Sequence, residues 1–273
     1  MSRYFNDFSD TNGDSLEHHG VKGQKWGVRR YQNPDGSLTE AGVMRLRGAK
    51  WKSYLANKQL GMTIPKNELM AKNKSDPDYE PIYEKGKTVT HITPLQFEKL
   101  REGQDLYISA EDYDKVTYKT WLTLMLKNKG YGKDTPIKEV ELKLDHDLKA
   151  PSENKQKQIF DSFYKDHKEQ IDKDLDKYYD KSKNKEYDKD DPYDYFIKSL
   201  DQPSYSKKAF YDRLKDEGYN AVLDVHDITG SWMNAKRPLI VMDALYMFGD
   251  MKVHDITDKE LNDSLKKYLK MNK

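Results

Sequence analysis

The chain has 273 residues, and 48 Lys and Arg against 47 Asp and Glu leave a formal net charge of +1. That balance gives no global electrostatic case for nucleic-acid binding, and the absence of cysteine removes disulfides, thiolate metal sites and a cysteine nucleophile together. Hydrophobic residues are 36% and mean hydropathy is −1.05, so the core is economical, and no apolar run approaches the roughly 18 residues that a bilayer span needs.

The start, MSRYFNDFSD, lacks the pattern of a signal peptide, so synthesis in the cytoplasm is expected. Residues 16–39 are the least ordinary stretch. Gly20, Gly23 and Gly27 punctuate a basic run of Lys22, Lys25, Arg29 and Arg30, interleaved with Trp26 and Tyr31, and the segment closes on the turn Asn33-Pro34-Asp35-Gly36. Three glycines at roughly 1 kcal/mol each argue against a helix here. They do not form a phosphate loop either, because the Lys-Ser/Thr ending is missing. The segment is open to two readings. It is a solvated basic arm, or it is a docking element presenting Lys22, Lys25, Trp26, Arg29, Arg30 and Tyr31, with Trp, Tyr and Arg the residue types that dominate interface hot spots.

A helix is expected over residues 40–60. Ser37 and Glu40 have capping-box spacing, Leu46, Trp51, Tyr54 and Leu55 can share a face, and Gly61 follows the end. A further turn of helix is read over residues 66–72. Ser75-Asp76-Pro77-Asp78 and Pro81 then mark a connector between an N-terminal part, residues 1–75, and a main domain over residues 86–273.

In that domain Thr88 to Thr93 reads as a strand. Thr93 caps an expected helix with Pro94 at its first position and Gly103 beyond it. Residues 105–109 form a second strand, and Ser109 with Asp112 opens a long helix running to Gly130 through Tyr118, Trp121 and Leu122. Residues 137–144, IKEVELKL, alternate as a strand with one wet face. Ser152 opens a helix with Ile159, Phe160, Phe163 and Tyr164 on its buried side, leading into a charged tract over residues 166–191 that is a long ion-paired helix or a disordered insertion. Ser206 caps another helix, and residues 219–225 and 238–242 read as strands. Thr257 and Glu260 form a capping box for the last helix. The sum is an α+β domain with a small mixed or antiparallel sheet and capped helices. Asp224, His226 and Asp227 read as turn chemistry rather than a metal site, so no metal is expected.

Two resemblances add to this. The string HHGVKGQKWGVRRYQNPDGSLTEAG resembles a segment near the start of many uncharacterised proteins from phages and prophages of Gram-positive bacteria, encoded near capsid and portal genes. It implies a virion-associated protein, found in the virion or the bacterial host cytoplasm, whose partners are phage structural proteins. The order strand-His91, DLYIS, helix, then EGYNAVLD and PLIVMDA resembles small ADP-ribosyltransferase-like domains. That likeness implies NAD held by His91 and Tyr107, with Ser109 near the nicotinamide and host proteins as acceptors. The acid expected before the last strand is missing, since that place holds Arg237-Pro238. Glu141, in Glu139-Val140-Glu141, is the substitute. The expectation is a domain without catalysis and without a bound cofactor, the alternative an active NAD-dependent mono-ADP-ribosyltransferase.

Overall fold

The computed structural model describes residues 40–69, 76–134, 136–180, 190–230 and 233–272. Lys22, Lys25, Trp26, Arg29, Arg30 and Tyr31, the residues expected to dock, lie outside these. The fold is α+β. Six antiparallel strands form one sheet in the order β6-β7-β3-β2-β4-β8, where β2 is Thr88–Thr93, β3 Leu106–Ser109, β4 Lys138–Leu144, β6 Ala221–Leu223, β7 Pro238–Val241 and β8 Phe248–Asp255. A two-stranded ribbon, β1 (Ile82–Tyr83) with β5 (Leu148–Lys149), sits apart from it.

The two sheet faces carry different cores, and the strand period decides which residue goes where. Val89, Ile108, Val140 and Leu142 point to one face. There they bury against Ile159, Phe160 and Phe163 of helix α5 (Glu153–Asp180), Phe196 of α6 (Tyr193–Ser199) and Phe210 of α7 (Tyr205–Asp216). The rings of Phe160, Phe163, Phe196 and Phe210 lie 5.0–6.3 Å apart in tilted and edge-on pairs, the geometry aromatic quadrupoles favour.

Ile92 and Tyr107 point to the other face. This is covered by α1 (Glu40–Leu60), by a continuous helix over residues 112–128, and by α9 (Asp258–Met271), with Leu55, Trp121, Leu124, Leu265 and Tyr268 fully buried. The helix over 112–128 is α3 (Asp112–Thr117) and α4 (Thr123–Asn128) joined by a π-helical turn, Tyr118–Leu122. The short helices α2 (Lys66–Leu69) and α8 (Ala244–Met247) complete the set.

Several expectations change. Residues 94–104 carry no helix, although the Thr93 hydroxyl accepts from the Leu95 N–H at 3.2 Å as an N-cap residue can. The bond closes a local turn that no helix continues. Ser204, not Ser206, caps α7, accepting from the Lys207 N–H at 3.0 Å. In α1 the buried positions are Ala49, Lys52, Leu55 and Ala56, while Tyr54 is 46% exposed. The Thr257–Glu260 capping box stands, and α5 is helical as far as Asp180 with a break at His167. The connector is tied to the body, since the Pro77 and Pro81 carbonyls accept from the N–H groups of Asn154 and Ala150 at 3.0 Å each.

Candidate functional site

The strand register decides which candidate residues can meet. Across β2 and β4, His91 stands opposite Val140 and Thr90 opposite Glu141. Side chains alternate along a strand, so His91 and Glu141 face opposite sides of the sheet. Ser109 also stands opposite Thr90, which puts Ser109 and Tyr107 on the face of Glu141. His91 is bound into the sheet: its Nδ1–H donates to the Tyr107 carbonyl at 2.7 Å and its ring packs on Phe97. Burial lowers its pKa against the opposing pull of that carbonyl, so the ring is neutral at physiological pH. Ser109 is 3% exposed.

Glu141 lines an open cleft of about 410 Å3 between this sheet face and the helices α3 and α9, with Thr88, Thr90, Lys115, Lys119 and Lys267 around it. His91, Tyr107 and Ser109 are not among its walls. The neighbouring Glu139 is buried and ion-paired to Lys119, with the His254 Nε2 3.1 Å from its carboxylate. Both glutamates of the Glu-Val-Glu string line the cleft, Glu139 buried against Lys119 at its wall and Glu141 partly exposed.

Tyr107 belongs to a different cluster. Its hydroxyl reaches Asp224 and, at 3.0 Å, Asp227; the Tyr118 hydroxyl also reaches Asp227. Both acids sit at the end of β6, where a second π-helical turn, His226–Gly230, begins. Tyr118 opens the π turn inside the helix over residues 112–128, and Asp227 lies in the π turn that follows β6. The second oxygen of Asp224 accepts from the N–H groups of His226 and Asp227, at 2.9 and 3.3 Å. Burial, and then the charge of Asp227, hold the Asp224 carboxyl well above the usual range. Burial and the same acids push Tyr107 and Tyr118 up, so both phenols are neutral donors. Burial opposes a charge on His226, but Asp194, Asp224 and Asp227 outweigh it and raise its pKa. Among the described residues no group of three or more His, Asp or Glu is arranged to hold a metal, and no helix is long and apolar enough to cross a membrane.

Comparison with known proteins gives one match. Residues 9–33 match a family described as "Family of unknown function (DUF7211)". No curated protein and no solved structure matches the chain. The matched residues include the Gly-Trp-basic run and stop at Asn33, at the start of the turn that closes it.

Reasoning from sequence passes over two features. Tyr118 falls on the buried side of an expected helix, with no signal that its hydroxyl would meet Asp227, 109 positions on. Lys52 reads as an ordinary polar residue, yet it is fully buried. Its ammonium lies 5.3 Å from the Trp121 ring centre and donates to the Met233 carbonyl and the Tyr268 hydroxyl at 3.2 and 3.1 Å. Burial first, then Arg45, lower its pKa well below the ordinary lysine value.

Proposed function

We propose that the protein is a phage- or prophage-encoded, virion-associated binding protein, docked on capsid or portal proteins through residues 16–39, with the α+β domain acting as a folded scaffold without transferase activity. The observation that carries the second half is the β2–β4 register, which sets His91 and Glu141 on opposite faces of the sheet. An NAD site needs its orienting residue and its acid to converge on one cofactor, because a carboxylate stabilises positive charge developing on the ribose only when it lies beside the reacting carbon. The closure of Asp224, Asp227, Tyr107 and Tyr118 on one another supports the same reading, since these polar groups are satisfied internally.

The second reading, mono-ADP-ribosylation of host proteins with NAD, draws on one observation. Glu141 faces an open cleft on the same side of the sheet as Tyr107 and Ser109. Calorimetry with NAD, and incubation of host lysate with biotinylated NAD, separate the two. The binding-protein reading expects no heat of binding and no labelling. Labelling that is lost in Glu141→Ala establishes the transferase.

A further inference from the structure

The cleft of about 410 Å3 between the sheet and the helices α3 and α9 is walled mainly by charge, with Val116 the one aliphatic residue among its described walls. Some of these charges are already matched. Lys119 pairs with the buried Glu139. Glu260 accepts from the Thr257 N–H and hydroxyl at 2.8 Å each as part of the α9 capping box, and Asp263 pairs with Lys259 and Lys266 at 3.3 and 3.5 Å. Four others line the same cleft: Glu141 on β4, Asp112 and Lys115 on α3, and Lys267 on α9. None of these four forms an ion pair with another of the described residues. The Lys115 ammonium instead donates to the Thr88 carbonyl at 2.8 Å. Burial lowers its pKa, and Asp112 and Glu141 act against that lowering across the cleft.

We propose that this cleft binds a small zwitterion, a free amino acid or a dipeptide with both ends charged, its ammonium held by Glu141 and Asp112 and its carboxylate by Lys115 and Lys267. The class follows from what the walls cannot serve. An apolar ligand would meet Val116 alone, whereas sites for such ligands are lined mainly by hydrophobic side chains. A polyanion needs cations in excess, and the four unmatched walls hold two acids and two lysines. A metal ion needs several converging ligands, and no group of three or more His, Asp or Glu among the described residues is arranged to hold one. A ligand with one charge of each sign answers all four, through the charge-assisted hydrogen bonds that are the stronger kind. The register puts Thr88 and Thr90 on the sheet face of Glu141, and both line the cleft, so their hydroxyls are at hand for the peptide group of a dipeptide. Such binding is independent of residues 16–39.

Calorimetry on the full-length protein tests this with glutamine and glycylglycine as probes, set against N-acetylglycylglycine, which lacks the ammonium, and glycylglycine amide, which lacks the carboxylate. At least one zwitterion is expected to bind in the millimolar range or tighter. Each blocked dipeptide is expected to bind about tenfold or more weakly than the better zwitterion, since each has lost a charge-assisted contact. Glu141 is half-buried and Lys267 exposed, so Glu141→Gln and Lys267→Gln are expected to keep the thermal unfolding transition of the wild type. Glu141→Gln is expected to narrow the preference over the acetylated probe and leave the preference over the amide unchanged, and Lys267→Gln to do the reverse. A loss of structure would weaken all probes alike and would not give this crossed pattern. Absence of heat with both zwitterions at millimolar concentration overturns the proposal, as do blocked probes that bind as tightly as the free ones. Variants that weaken every probe equally overturn it too, and so does tighter binding of inorganic phosphate or of NAD than of either zwitterion.

Discussion

Tyr118 and Asp227 are 109 positions apart in the chain and meet through a hydroxyl–carboxylate hydrogen bond, each carried on its own π-helical turn. Tyr107 joins the same carboxylate at 3.0 Å, so one acid ties β3, the helix over residues 112–128 and the end of β6 together. Loss of either tyrosine leaves Asp227 with one hydroxyl donor; loss of both leaves it with neither. Tyr107→Phe and Tyr118→Phe are each expected to cost about 1–2 kcal/mol. The double variant is expected to cost more than their sum by about 0.5 kcal/mol or more. Urea denaturation of the four proteins measures this, and simple additivity would show that the two tyrosines do not share the acid.

The pH dependence of this cluster follows from its sign. The folded pKa of Asp224 is raised above the ordinary 3.8, so the native state holds a proton that the unfolded chain releases. The stabilisation is complete below 3.8 and is lost as pH rises through the folded value. Asp224→Asn removes this dependence. Its stability relative to wild type is therefore expected to improve as pH rises from 3.8 towards neutrality, and a difference that stays flat with pH would contradict the assignment.

Lys52 has the opposite sign. Its folded pKa lies below the unfolded 10.5, so between the two values the unfolded chain binds more protons, and stability is expected to rise as pH climbs from the folded value to 10.5. No carboxylate among the described residues pairs with it, and Tyr268 keeps its bond to the Leu69 carbonyl at 3.1 Å without it. Lys52→Met fills the same slot between Trp121 and Tyr268 with no amine to desolvate. It is expected to stabilise the protein by about 1–3 kcal/mol at neutral pH and to flatten the rise. A destabilised variant in thermal unfolding would mean that the amine's two hydrogen bonds outweigh its desolvation.

Asp114 anchors the segment that leads into β7. Its two oxygens accept from the Lys236 and Arg237 N–H groups at 2.7 Å each, and burial raises its pKa to about 6 despite them. Asp114→Ala strands two half-buried donors and is expected to cost about 2–4 kcal/mol in urea denaturation. A loss under about 0.5 kcal/mol, the level of an ordinary surface change, would show that these N–H groups find other partners.

Much of the fold is legible in the sequence because its signals are local. The capping box at Thr257, the alternation of residues 137–144 and the helix over residues 40–60 all follow from short-range patterns. What escapes depends on distant partners. β8 begins Phe248-Gly249-Asp250, which has the composition of a turn, and it is a strand only because β4 supplies the ladder. Asp224 reads as turn chemistry, and one of its oxygens does make that turn. The other oxygen meets Tyr107, 117 residues away in sequence. Lys52 has the look of a surface residue until Trp121 and Tyr268 enclose it. The opposition of His91 and Glu141 cannot be read before the register is known, since a shift of one residue would put them on the same face.

The docking role proposed for residues 16–39 is open to the most direct test. The measurement is quantitative mass spectrometry of purified phage particles, comparing the full-length chain, a chain lacking residues 16–39 and Trp26→Ala, each expressed during infection. The account predicts that the full-length chain is found in particles and that the deletion is absent from them while its folded domain persists in the lysate. It also predicts that Trp26→Ala is depleted severalfold or more, as loss of an aromatic hot spot worth about 2 kcal/mol requires. Equal recovery of all three chains in particles would contradict the docking role, and absence of the full-length chain from particles would contradict the virion association itself.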